Sequence, residues 1–120
     1  MGLRTTGENQ LRQAFVGVGT ERGGEFYLPA QAAGRFVDAC VHESLAIVGV
    51  EGFRIESGKF RPLLDQIADF SSLLTDRKGW AETVQAAAAE AHRFLAQLPT
   101  EPELRLNFTL LSEEAFRHDA

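Results

Sequence analysis

The stretch from Leu45 to Ile55 has the hydrophobic pattern of a central β-strand. Its first half, residues 45–50, is apolar on both faces, as expected for an interior strand that is covered on both sides. In the second half apolar and polar residues alternate, which predicts that Phe53 points into the core and Arg54 points to solvent. The pattern therefore indicates that one face of the sheet reaches solvent at this end of the strand.

Glu51 interrupts this strand with a carboxylate where an apolar side chain is expected. Under strict alternation Glu51 shares a face with Ile47 and Phe53, and burying it is costly unless it is paired, hydrogen-bonded or protonated. A β-bulge at Gly49 or Gly52 would instead shift the register by one residue and turn Glu51 outward. Both arrangements stay open at this point, and either one marks Glu51 as a candidate functional residue.

Three segments have the period of amphipathic helices. One begins at Pro29, a residue favoured at the first helical position, and runs to about Ser44. Another runs from Trp80 to Leu98 and ends before a proline. Residues 10–16 are predicted to form a short helix, although the alternation of valine and glycine that follows also fits a strand.

Three further segments are predicted to be strands. Residues 104–110 alternate between apolar and polar side chains, which is typical of a half-buried strand. Residues 25–28 form a short strand or an extended lead-in to the first long helix. A glycine-containing turn at 57–58 predicts a hairpin, with a short return strand at 59–61 that ends at Pro62.

The segment 63–74 fits either a helix or an extension of the sheet, and the spacing of its apolar residues favours a helix. In a helix Asp65 and Asp69 would be neighbours on one face, where like charges repel. That cost is understandable if the pair contacts a basic partner, or holds a magnesium-type ion together with Glu51. The alternative is an ordinary solvated face, with basic residues nearby.

The order of elements, roughly α-β-α-β-β-(α)-α-β, predicts the fold class. Helices alternate with strands but one strand pair is joined by a hairpin, so we predict an α+β fold with a mixed or antiparallel sheet and helices packed mainly on one face, a two-layer sandwich. At 120 residues the chain is expected to be a single domain, 1–120, with residues 1–7 and 113–120 flexible. Phe116 is a candidate docking residue within the C-terminal segment.

Acidic residues outnumber basic ones, 17 to 12, which gives a formal net charge of −5 and a pI of about 5.1. This balance argues against nucleic-acid binding through a broad basic surface. It suits a basic protein partner, which an acidic surface attracts during diffusional encounter. It suits plain solubility equally well.

Cys40 is the single cysteine, so no internal disulfide can form, and this fits a reducing cytosol. Residues 1–7 lack the apolar core of a signal peptide, and no apolar run approaches the length of a membrane span. A cytoplasmic protein with no membrane segment is therefore expected.

The residues with reactive side chains do not form a recognisable active site. Cys40 and His42 are two residues apart on the predicted helix and do not face each other, and Cys40 lies among apolar residues that make a thiol inert. His92 lies at the edge of the apolar stripe of the second long helix, where surface positions are usual. No metal-binding, phosphate-binding or nucleophile-elbow motif occurs. Hence no catalytic residue, metal or cofactor is predicted, and the balance leans against an enzyme.

Three segments in the middle half of the chain resemble the pattern of small bacterial proteins of the polymorphic-toxin immunity type: 25–29, 47–53 and 67–71. The resemblance implies a non-enzymatic protein that binds and blocks a toxin secreted by related bacteria. Such inhibitors of basic nucleases are often acidic. The resemblance transfers no toxin-contact residue, because these contacts differ between families.

The first hypothesis is therefore a binding protein that neutralises a cognate basic toxin by steric and electrostatic occlusion. The candidate partner-binding residues are the carboxylates of Glu51, Asp65 and Asp69, which would pair with a basic active-site rim. Tight interfaces also need a few buried anchors, and Phe53 is the aromatic candidate beside Glu51.

Two alternatives come from other functional classes. One is a small enzyme or ligand-binding domain built around a buried Glu51, together with Asp69 and His92, because burial raises the pKa of a glutamate toward the range of acid–base catalysis. The other is a structural homodimer that pairs through an edge strand near Tyr27 or Phe60.

Overall fold

A computed structural model describes residues 6–75 and 77–118 of the chain. These residues form a five-stranded antiparallel sheet, in the order β1-β2-β5-β3-β4, and the two long helices pack on one face of it. The predicted α+β class, with helices mainly on one face, is confirmed. The elements are α1 (Thr6–Ala14), β1 (Thr20–Arg22), β2 (Glu25–Pro29), α2 (Ala30–His42), β3 (Leu45–Glu56), β4 (Lys59–Asp69), a 3-10 turn (Ser71–Leu73), α3 (Trp80–Ala96), β5 (Leu104–Ser112) and α4 (Glu113–His118).

The chain ends contain helix where they are described. The segment predicted to be flexible at the C-terminus contains α4, and Phe116 of that helix stacks on Trp80 with 5.6 Å between the ring centroids. α1 begins at Thr6, within the other segment predicted to be flexible. Residues 1–5 and 119–120 lie outside the described residues, so the flexibility of the two ends stays a prediction.

The core lies between the sheet and the pair α2 and α3. On β5, Leu104 and Leu106 are fully buried while Thr109 is exposed, which confirms the half-buried strand predicted there. The largest side chains that are completely enclosed come from every layer of the sandwich: Leu28, Val37, Ile47, Val50, Thr83, Leu104 and Leu106. The long helices thus bury the apolar stripes that their sequences show.

The predicted helix at 63–74 is wrong, because β4 continues to Asp69 and only a short 3-10 turn follows. β4 is an edge strand, so Pro62, which has no N–H to donate, does not end it. Its partners along β3 jump from Leu63 to Ile67, which leaves residues 64–66 as a three-residue insertion. This insertion breaks the two-residue period, and the apolar spacing that remains imitates a helix.

Glu51 points to solvent because β3 contains a β-bulge. Ile47 pairs with Leu110 of β5 and Gly49 pairs with the next residue, Thr109, so Val48 is the extra residue. The register shift places Val50 in the core and Glu51 in solvent. Of the two arrangements left open by the sequence, the bulge is correct and strict alternation is wrong.

The bulge also reverses the predicted orientation of the second half of β3. Phe53 shares the face of Glu51, which is the sheet surface opposite α2 and α3 and is called the open face below. Phe53 therefore does not point into the main core as predicted. Gly52, on the other face, is buried beneath Gln66 of the β4 insertion.

Candidate functional site

The open face contains a groove of about 300 Å³ beside Glu51. Gly49 forms its floor, since it pairs with Thr109 on one side and Asp69 on the other and has no side chain to fill the space between them. A β-carbon at Gly49 would lie 3.2 Å from the carbonyl oxygen of Ala68. The described residues that line the groove are Val48, Gly49, Val50, Glu51, Ile67, Ala68, Asp69, Ser71 and Thr109. The groove thus depends on the bulge, which brings Gly49 to the open face.

Two of the predicted partner-binding residues meet at this groove. The side chain of Glu51 is exposed and makes no hydrogen bond or ion pair with another described residue. Asp69 is also exposed, and its Oδ1 accepts a hydrogen bond of 2.9 Å from the backbone N–H of Ser71. Hydrogen bonds from Ser71, chiefly this backbone one, hold the pKa of Asp69 below its usual range. Asp69 is consequently a fixed negative charge at neutral pH.

Two exposed aliphatic side chains lie on the edge strand that carries Asp69. Ile67 lines the groove and is 47% exposed, and Leu64, in the insertion of β4, is 82% exposed. Single exposed apolar residues are common on protein surfaces. Here, however, Ile67 lines an acidic groove and Leu64 lies on the same edge strand, so exposed apolar and charged side chains occur together as they do in interaction surfaces.

The other two predicted partner-binding residues lie elsewhere. Asp65 is exposed in the β4 insertion and does not line the groove. The pKa of Arg54 is raised chiefly by its hydrogen bonds to Glu101, and the negative charge of Asp65 contributes to the same shift. The predicted pairing of Asp65 with Asp69 on one helical face is wrong, because both residues lie on the strand β4.

Phe53 belongs to an aromatic cluster at the other end of the open face. Its ring meets that of Tyr27 edge-on at 5.1 Å, and Tyr27 in turn meets Phe60 at 4.4 Å. The guanidinium of Arg22 lies 4.8 Å from the centre of the Phe60 ring and donates a hydrogen bond of 2.8 Å to the carbonyl of Gly58. These contacts tie the β3–β4 hairpin to the β1–β2 hairpin. The rings of Tyr27, Phe53 and Phe60 are thereby half-buried against one another, whereas the carboxylates at the groove end are exposed.

The geometry does not assemble the catalytic site of the enzyme alternative. That alternative needs a buried Glu51, and Glu51 is exposed. His92 lies in the helical layer, where its Nε2 is 2.8 Å from Oδ1 of Asp38 on α2. Among residues 6–75 and 77–118 no three histidine, cysteine, aspartate or glutamate side chains lie close enough together to hold a metal ion.

The edges of the sheet are β1 and β4. Phe60 lies on β4, as the homodimer alternative predicts, but Tyr27 lies on β2, between β1 and β5, and so is not at an edge. β4 contains Pro62 and the three-residue insertion, and both features oppose pairing with another strand edge.

The thiol of Cys40 is expected to be unreactive in the folded protein. Its side chain is fully enclosed by the core, and burial, followed by the nearby charge of Glu8, raises the pKa of the thiol well above its usual range. We expect Cys40 to react with a disulfide reagent such as DTNB at pH 8 only at the rate at which the protein unfolds, and to react fully in urea. Fast stoichiometric labelling of the native protein would contradict this burial.

No helix in the described part of the chain is long and apolar enough to cross a membrane. No protein-family model matches the sequence, and comparisons with curated proteins and with solved structures each give no match.

Proposed function

We propose that this chain is a non-enzymatic binding protein that neutralises a basic protein, most concretely a toxin, by covering its surface. The observation that carries the proposal is the groove at the edge of the open face, where Glu51 and Asp69 lie beside the exposed side chain of Ile67, with Leu64 exposed on the same edge strand. We place this activity in the cytoplasm, where a protein with a single buried cysteine needs no oxidising environment.

The charges on this surface favour a basic partner over a second copy of the chain. A net charge of −5 attracts a positively charged protein at long range and speeds its association. Two copies that met through this surface would bring the carboxylates of Glu51 and Asp69 close to their own equivalents, and like charges in an interface are unfavourable. The irregular edge of β4 disfavours self-pairing for a separate, geometric reason.

The apolar side chains supply what the carboxylates do not. Charges at the rim of an interface mainly set association rate and specificity, whereas desolvated apolar anchors supply much of the affinity. Leu64 and Ile67 are already exposed in the free protein, so a partner can cover them without rearrangement of the sheet. Inhibition of this kind needs no chemistry, since a basic active-site rim is blocked as soon as it is covered.

The double variant Glu51→Gln/Asp69→Asn is expected to weaken binding to the basic partner roughly tenfold to a hundredfold, chiefly through slower association. The partner is first recovered by affinity capture of the tagged chain from lysates of its own genus, and its binding is then measured by surface plasmon resonance. The matched control is Glu103→Gln/Glu114→Gln, which removes the same two charges at exposed positions outside the groove.

The control distinguishes a local site from a general charge effect. It is expected to change the dissociation constant by less than about threefold, because distant surface charges are screened by salt. Equal weakening by both variants would show that only net charge matters and would reject the site. Failure to recover any stoichiometric basic protein would reject the proposed function.

A further inference from the structure

We propose that the groove over Gly49 receives a single arginine side chain of the basic partner, a step that rests on the function proposed above. The guanidinium would lie between the carboxylates of Glu51 and Asp69, and the methylene stem would pass over Gly49 along Ile67. The groove is thus the point at which partner specificity is set.

The sheet geometry places both carboxylates within reach of one cation. Asp69 is directly opposite Gly49 on β4, where cross-strand β-carbons are about 5 Å apart. Glu51 follows Gly49 by two residues on the same face of β3, a spacing of about 7 Å along a strand. A cation above the bare backbone of Gly49 therefore has one carboxylate on each of two sides.

The charges at the groove lack a cationic partner within the described chain. Other surface carboxylates pair with arginine, as Glu56 does with Arg61 at 2.8 Å and Glu113 with Arg117 at 3.0 Å. Glu51 makes no such pair, and none of the described residues that line the groove is basic. The missing cation is what a basic partner would supply.

Size and chemistry select the occupant. About 300 Å³ is at the small end of the range for ligand pockets, which suits one long side chain. Arginine is preferred over lysine because its guanidinium is more weakly hydrated and can bind two carboxylates through separate N–H groups. The aliphatic surface of Ile67 matches the methylene stem, which covers apolar surface while the charged end stays near polar groups.

The proposal can be tested by NMR titration of the full chain with capped tripeptides. The probe is acetyl-Leu-Arg-Leu-amide, and the matched neutral peptide has citrulline in place of arginine. We expect the arginine peptide to shift the backbone amides of residues 49–51, 67–69 and 109, and the citrulline peptide to bind at least fivefold more weakly. A lysine peptide should fall between the two.

Three variants of the protein separate charge from shape. Glu51→Gln removes one carboxylate without disturbing any described hydrogen bond, and should weaken the arginine peptide about fivefold. Gly49→Ala fills the floor of the groove without changing its charge, and should weaken binding of the arginine peptide by a similar factor. Asp65→Asn removes a charge from the same strand outside the groove, and should change binding less than twofold. Spectra of each variant confirm folding, which matters for Gly49→Ala because of the 3.2 Å approach to Ala68.

The outcomes distinguish this inference from the proposed function. Equal binding of the arginine and citrulline peptides, or shifts that map elsewhere, would overturn the arginine groove. A basic protein that binds Gly49→Ala and the unaltered chain equally well would also overturn it, while leaving the proposed function in place. If the peptide binds at the groove but no basic protein partner is recovered, the arginine groove would stand and the proposed function would be overturned. Dimerisation that is lost in both Glu51→Gln and Gly49→Ala would assign the groove to a second copy and overturn the proposal.

Discussion

Replacing Trp80 with alanine is expected to lower the free energy of unfolding by about 3–5 kcal/mol, the range for truncating a buried tryptophan. Trp80 is the first residue of α3 and is only 8% exposed. Its ring packs against Ala46 of β3 and Phe116 of α4, and its indole N–H donates a hydrogen bond of 2.8 Å to the carbonyl of Ser44. One side chain thus connects three elements and the turn between α2 and β3.

Because of the turn at Ser44, Trp80 contributes more to the free energy of unfolding than its buried area alone suggests. Ser44 has a backbone φ of 58°, in the left-handed region that a non-glycine residue adopts at some cost. The hydrogen bond from Trp80 to its carbonyl helps to hold that conformation. Loss of the ring is therefore expected to loosen both this turn and α4.

Urea unfolding followed by far-ultraviolet circular dichroism measures the effect, since Trp80 is the single tryptophan and its removal abolishes the fluorescence signal. Trp80→Phe is the matched control, because it keeps an aromatic ring but has no N–H to donate. We expect Trp80→Phe to lower the free energy of unfolding by about 1–2 kcal/mol. A loss below about 1 kcal/mol in Trp80→Ala would show that the three elements are held together by other contacts.

The long elements could be predicted from the sequence because their patterns repeat over many residues. α3 and β5 follow periods of 3.6 and 2, and both are found close to their predicted ranges. β1 could not be predicted, since its three residues are all exposed and a short polar run carries no period. The start of β4 is predicted as a strand, but its second part, residues 63–69, is predicted to be helical because an insertion of three residues destroys its period.

The candidate site could be predicted only in part. Glu51 stood out because a carboxylate within an apolar strand needs an explanation. The sequence alone does not decide whether the Glu51 side chain points to the core or to solvent. Val48 and Gly49 are small enough to fit either register, and only the pairing with β5 decides between them. The sequence singles out Asp69 through a helical pairing with Asp65, and that pairing is absent because both lie on a strand. A bulge at Gly49 is one of the arrangements that the sequence allows, but the role of Gly49 as a groove floor is not predicted, because it depends on pairing with Thr109 on one side and Asp69 on the other.

Replacing Gly19 with alanine is expected to destabilise the protein by about 2–3 kcal/mol through overpacking. A β-carbon at Gly19 would lie 2.2 Å from the tip of the Phe26 ring, with two further ring carbons at 2.7 Å. Phe26 cannot move aside easily, because it is 7% exposed and packs against Phe36. The backbone of Gly19 is also held in place, since its N–H donates a hydrogen bond of 2.8 Å to the carbonyl of Phe15.

Gly17 provides the matched control for this prediction. It lies in the same loop, and a β-carbon there would have no atom within 4 Å, so Gly17→Ala should change stability by less than about 0.5 kcal/mol. In the double variant Gly19→Ala/Phe26→Leu the smaller side chain relieves the clash. The loss of stability in this double variant should therefore be smaller than the sum of the losses in the two single variants. Thermal and urea unfolding of all the variants measures these differences. Equal stability of Gly17→Ala and Gly19→Ala would mean that the loop can move away from the Phe26 ring at little cost. The contact between α1, this loop and β2 would then be less rigid than its geometry indicates.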